Sequence, residues 1–192
     1  MYTINNNCLN EIVIKNSRFI CILYKINSDK DITTYLNQVK EEYKDATHYC
    51  YAYIVGNLKK SSDDGEPGGT AGIPILKVLE NNNLTNVLAI VIRYFGGIKL
   101  GAGGLVRAYT KSITEALNTV KINKLIDGYN IDIIFNYNQT KEIDYLLKDI
   151  KINTKIFKEN ITYNLDIEAN FLNTIKNNQI TYTINYPIQI EK

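Results

Sequence analysis

The longest unbroken aliphatic run in the chain, Val87 to Ile92, stands just upstream of a glycine-rich turn and a helical repeat. A short run with no polar alternation reads as a strand covered on both faces. Its flanks agree. Residues 86–94 (NVLAIVIRY) form the strand, Gly96 to Gly104 the turn, and residues 104–121 a helix. Leu105, Ala108, Tyr109, Ser112, Ile113, Ala116, Leu117 and Val120 fall on the helix's inner face. A doubly covered strand requires layers, so this part of the chain is expected to place helices on a mixed sheet. The run is also far shorter than the ~20 residues a membrane helix needs.

Other segments fit the same layers. Residues 19–26 (FICILYKI) read as an apolar strand. Residues 29–44 read as a helix with Ile32, Leu36, Val39 and Tyr43 buried and Ser28 or Asp29 as N-cap. Residues 47–55 (THYCYAYIV) form a two-faced strand, with His48, Cys50, Ala52 and Ile54 on one side and Tyr49, Tyr51 and Tyr53 on the other. A loop from Gly56 to Gly72 follows, then a helix with Pro74 in its first turn that runs to about Asn81.

Residues 1–127 carry 12 Lys and 3 Arg against 12 acids, and ten of the eleven glycines. Residues 128–192 carry 7 Lys against 8 acids and no Arg. Lys121 to Gly128 reads as a helix end and polar connection closing on an Asp-Gly turn. The expected domains are therefore 1–124 and 128–192. The second has a regular rhythm of strands at 129–136, 152–157, 161–168 and 180–186, with helices at 139–149 and around Phe171, Leu172 and Ile175. That βαββαβ order describes a ferredoxin-like domain, so the fold class is α+β in two domains.

Composition narrows the chemistry. Three cysteines (Cys8, Cys21, Cys50) at wide spacing make neither a disulfide framework nor a CxxC pair. A single histidine makes a Cys/His zinc centre improbable. A net charge of +2 is too small to steer the whole molecule toward nucleic acid, so any anion binding must be local. The N-terminus carries no secretory pattern, and a cytoplasmic location without membrane association is expected. Oligomeric state is not legible, and no cofactor is called for.

Two motifs could carry function. In the acidic loop, Asp63, Asp64 and Glu66 lie within four positions of SDDGEPGGTAG. Such a cluster could hold Mg²⁺ or supply an acid and a base, although Asp-Gly and Pro-Gly are also ordinary turn pairs. In the second motif, RYFGGIKLGAGGLVR, a glycine-rich turn enters a helix, directing unpaired N–H groups and the positive end of the helix dipole toward one point. Arg93, Lys99, Gly101, Gly103, Gly104, Arg107 and Lys111 are its candidate anion-binding residues, with His48 and Tyr94 as accessories. A cation at Arg107 opposes the dipole by roughly 0.3–1 kcal/mol unless an anion shares the site. That anion could be a foreign phosphate or carboxylate, or the chain's own Asp63, Asp64 or Glu66 folded back in an internal scaffold. The spacing satisfies neither the Walker A pattern nor GxGxxG. His48 and Cys50 share a face, but a buried thiol is an unattractive nucleophile.

The run ATHYCYAY (46–53), DDGEPGGTAGIP (63–74) and VIRYFGGIKLGAGGLVRAY (91–109) resembles the IMPACT family of proposed translation regulators, in its bacterial two-domain form. The resemblance implies an N-terminal domain like domain IV of elongation factor G and a ferredoxin-like C-terminal domain like its domain V. It implies no reaction. The expected function is non-catalytic binding of RNA, the ribosome or a translation factor through the basic turn and the acidic loop. The rival is an enzyme acting on phosphorylated substrates, kinase-like or a Mg²⁺-dependent hydrolase. A third reading is purely structural, with the acidic loop and glycine turn locked together.

Overall fold

A computed structural model describes residues 1–192 as two units, Met1–Asn123 and Lys124–Lys192. The first contains strands β1 (Tyr2–Ile4), β2 (Cys8–Ile14), β3 (Ser17–Lys25), β4 (His48–Val55), β5 (Leu58–Ser62) and β6 (Val87–Tyr94). Its helices are α1 (Asp31–Glu42), α2 (Gly72–Asn81) and α3 (Ala102–Leu117). The sheet order is β2-β3-β6-β4-β5. Every neighbouring pair is antiparallel, which corrects the expected mixed sheet. β3 and β4 run the same way, but β6 lies between them and opposes both.

The aliphatic run of β6 is buried on both faces, as its lack of alternation requires. Leu88, Ile90 and Ile92 join Ile20, Ile22, Ile32 and Val39 beneath α1. Val87, Ala89 and Val91 join Phe19, Cys21 and Leu23 beneath α2 and α3. Each large aliphatic side chain removed from water contributes about 1.5–3 kcal/mol. Ala52 pairs with Ala89 in register, and this small-on-small contact lets the helices approach the sheet. The tyrosines of β4 (Tyr49, Tyr51 and Tyr53) pack against the α1-side cluster, so that face serves packing.

Local boundaries depart from the sequence reading where neighbours decide. The segment from Gly56 to Gly72 is not one long loop, because Leu58–Ser62 pairs with Tyr51–Val55 as an exposed edge strand. Its residues, LKKSS, carry almost no apolar signal. The N-cap of α1 is Lys30 rather than Ser28 or Asp29, and the Ser28 hydroxyl accepts the Lys30 N–H at 3.2 Å. α3 begins at Ala102, two residues earlier than expected, which places Gly103 and Gly104 inside its first turn. Gly101, at φ +71°, makes the left-handed bend that starts it.

The second unit contains β7 (Ile122–Phe135, reaching back across the division), α4 (Thr140–Leu146), β8 (Ile152–Phe157), β9 (Ile161–Glu168), α5 (Phe171–Asn177) and β10 (Thr181–Glu191). Its antiparallel strand order, β10-β7-β9-β8, is that of a split βαβ fold. Ile131, Ile133 and Phe135 alternate inward and meet Ile161, Tyr163, Leu165 and Ile167 beneath α4 and α5. The expected turn at Asp127-Gly128 is instead mid-strand, since Ile188 pairs with Gly128 and Glu168 with the same residue. Gly128 is there for close approach: a Cβ would lie 2.4 Å from the Ile167 carbonyl oxygen. Asn130, Asn164 and Asn185 exchange side-chain hydrogen bonds at 2.9–3.0 Å across three strands. No helix is long and apolar enough to cross a membrane.

Candidate functional site

The alternation that points Val87, Ala89 and Val91 at the helices delivers Arg93 to the same face at the end of β6. Arg93 is only 5% exposed. Its guanidinium carbon lies 5.4 Å from the centre of the Phe19 ring and 5.5 Å from that of Phe95. Its Nη1 donates to Glu66 Oε1 at 2.6 Å, and its Nε has no partner. Glu66 descends from the loop after β5 and is 7% exposed. Tyr109 reaches the same carboxylate oxygen from α3 at 2.8 Å. One oxygen therefore accepts two donors from two elements.

His48, at the start of β4, faces the other oxygen. Its Nε2 stands 3.9 Å from Glu66 Oε2. Its Nδ1 lies 2.8 Å from the Asp64 carbonyl oxygen, which can only accept. Nδ1 therefore carries the proton, and in the neutral ring Nε2 is a bare acceptor. Cys50, next on the same strand face, donates to the Asp63 carbonyl at 2.9 Å and lies 3.3 Å from the Tyr109 hydroxyl. Burial pushes its thiol up to about 12; the Tyr109 contact opposes the rise, and the nearby carboxylates add to it. A thiol held protonated is no nucleophile at neutral pH, so His48 and Cys50 do not form a catalytic dyad. The same burial, reinforced by Cys50 and Glu66, raises the Tyr109 hydroxyl far above the ordinary phenol range.

The other two acids of the loop point elsewhere. Asp63 Oδ1 accepts from the N–H groups of Ala71 and Gly72 at 2.9 and 2.8 Å, and Oδ2 from Gly69 at 2.8 Å. It thus caps the start of α2, which no side chain of its own caps. Burial pushes its carboxyl up, but the three N–H bonds outweigh that and hold it below its ordinary value. Asp64 Oδ2 accepts the Tyr49 N–H at 2.7 Å. Of the three acids that could fold back onto the glycine-rich motif, Asp63 and Asp64 do not. Only Glu66 meets a cation of that motif, Arg93.

A cavity of about 370 Å³ opens here, bordered by His48, Glu66, Arg93, Phe95, Lys99, Leu100, Gly101, Ala102 and Leu105, with Thr47 and Pro67 completing the wall. No side chain caps α3, which leaves the N–H groups of Ala102, Gly103 and Gly104 without a capping acceptor. Leu105, the next residue, already bonds the Gly101 carbonyl at 2.9 Å. Of the candidates read from sequence, His48, Glu66, Arg93, Lys99 and Gly101 border this space. Arg107 and Lys111 are exposed on α3 outside it. Tyr94 belongs to the opposite sheet face, where its hydroxyl donates to the Lys44 carbonyl at 3.1 Å. Phe95 and Tyr109 join the site from positions that the sequence pattern reads as turn and helix core. A phenol on the inner face of a helix needs a buried partner, and that requirement was the available signal.

Residues 15–117 match the Impact N-terminal domain, and the chain belongs to the IMPACT family. IMPACT family member YvyE of Bacillus subtilis is 38% identical over 177 residues, which cover 87% of this chain and 79% of that one. IMPACT family member YigZ of Escherichia coli is 37% identical over 139 residues, covering 70% and 68%. A crystal structure of a hypothetical protein aligns with 94% of this chain and 95% of its own, at 28% identity and a TM-score of 0.66. The resemblance read from the motifs is family membership, and the α+β architecture recurs over nearly the whole length.

Proposed function

We propose that this chain is a non-catalytic regulator of translation that binds an anionic partner (RNA, the ribosome or a translation factor) through the first unit's cavity. The observation that carries this reading is the meeting of Lys99, Arg93 and the uncapped start of α3 around one opening. Glu66 balances Arg93, so the surplus charge at the rim comes from Lys99 and the helix N–H groups, which suits a single phosphate or carboxylate. Arg107 and Lys111, exposed on α3, would meet further phosphates of an extended partner. The translation theme comes from the family, whose motifs supply the cavity's own walls.

The test is retention of RNA and of ribosomes by the intact chain across a salt series. Binding should fall with salt along a log–log slope of about −0.7 per single-stranded phosphate contacted. Absence of binding, or a flat response, would overturn the reading. The bare Nε2 of His48 favours one alternative, an enzyme on phosphorylated small molecules that uses the imidazole as a base. A nucleotide with Mg²⁺ should then raise the melting temperature, by an amount equivalent to about 2.7 kcal/mol at 100-fold excess over Kd. No shift with any nucleotide would remove that alternative.

A further inference from the structure

A site for anions alone has no use for a pair of bare hydrogen-bond acceptors, yet this cavity contains one. Glu66 Oε1 is occupied by Arg93 and Tyr109, while Oε2 receives no donor from the chain. Beside it, 3.9 Å away, Nε2 of the neutral His48 ring is bare as well, because the Asp64 carbonyl holds the single proton of that form on Nδ1. Two adjacent acceptors repel an anion placed against them, and both are satisfied by one nitrogen that carries at least two hydrogens. With that nitrogen about 2.9 Å from each acceptor, the 3.9 Å separation gives an angle of about 85° at the nitrogen, near enough to the spread of two N–H bonds.

The remaining walls define the rest of the ligand. Lys99 and the first N–H groups of α3 supply donors for a phosphate. Phe95, 46% exposed, offers an aromatic surface in the same space. At about 370 Å³ the cavity takes one small ligand rather than a duplex. The geometry points to a single unpaired nucleotide whose base carries an exocyclic amine, cytosine being the smallest, as its occupant. The amine bridges Glu66 Oε2 and His48 Nε2, the base stacks on Phe95, and the phosphate lies at Lys99 and the start of α3. Uracil puts a carbonyl oxygen where cytosine has its amine, so it sets acceptor against acceptor. The inference rests on the cavity being the partner-binding site and narrows that partner to an unpaired residue of RNA.

Calorimetric titration of the intact chain with CMP and with UMP tests it. CMP is expected to bind at least about tenfold more tightly, the discrimination of one well-made base contact. In Glu66→Gln the side-chain oxygen stays with Arg93 and Tyr109, which turns the amide NH₂ toward the cavity and reverses the preference to UMP. His48→Ala leaves the Glu66–Arg93 contact intact and shrinks the CMP/UMP ratio, so the proposal stays testable if Glu66→Gln fails to fold. Lys99→Ala should weaken both nucleotides alike. Equal affinity of CMP and UMP overturns the inference, as does failure of both to bind while RNA or ribosomes are still retained; the docking reading then survives. Loss of nucleotide binding and of RNA and ribosome retention together overturns both.

Discussion

Glu66 and Arg93 meet at 2.6 Å, with each side chain at most 6% exposed and with Tyr109 donating to the same carboxylate oxygen. The contact joins the loop after β5 to the end of β6 and to α3, three pieces far apart in the chain. Removing one partner strands the other charge in a buried position. Arg93→Met should therefore destabilise the protein by about 3–5 kcal/mol. The double replacement Arg93→Met with Glu66→Leu should recover much of that loss. Denaturant melts of the wild type, both single variants and the double variant complete the cycle, and additivity would show that the pair is not energetically coupled.

Asp63 makes the acidic loop part of the fold. Asp63→Ala should cost about 2–3 kcal/mol, because three N–H groups near the start of α2 lose a charged acceptor. Its carboxyl sits below the ordinary value when folded, so folding favours the ionised form. This stabilisation is complete above the unfolded-state pKa of about 3.9 and is lost as pH falls through the lower folded value. Asp63→Asn should therefore flatten the stability profile below about pH 4. An unchanged acid limb would contradict the capping role.

Lys99 is held by no ion pair and borders the cavity from an exposed turn. Lys99→Ala should leave the melting temperature within about 2 °C, since surface changes of this kind cost at most about 0.5 kcal/mol. It should nevertheless weaken partner retention and reduce the salt slope by about 0.7. Arg107→Ala and Lys111→Ala probe the outer face of α3, and a smaller effect there would place the main contact at the cavity.

The thiols give a check on packing. Cys21 is fully buried, and burial raises its thiol well above the ordinary range. Burial likewise lifts Cys50 to about 12 and raises Cys8, which is only half-buried and donates to the Ala116 carbonyl. At pH 8 a disulfide reagent should label Cys8 slowly and leave Cys21 and Cys50 untouched until the chain unfolds. Fast labelling of Cys50 in the folded protein would show that the region around Tyr109 opens.

Much of the architecture could be read from local pattern. The strands at 152–157 and 161–168 fall where the alternation and the Lys158–Asn160 turn put them. Elements that depend on a distant partner could not be read this way. Leu58–Ser62 is a strand only because β4 offers an edge, and Leu125, Ile126 and Asp127 extend β7 because the last residues of β10 pair with them. The site divides on the same line. Glycine, lysine and helix start were legible in RYFGGIKLGAGG, but Asp63's preference for the start of α2 over that of α3 is set by chain geometry across the loop. The role of Tyr109 depended on knowing that Cys50 and Glu66 would converge on its hydroxyl.

The position of β6 between β3 and β4 has a consequence for how the polypeptide is made. Until residues 87–94 leave the ribosome, the two older strands each present an unsatisfied edge, and Cys21, Leu23, Cys50 and Ala52 lack the neighbour that seals them. A nascent chain halted before that point is therefore adhesive along both edges.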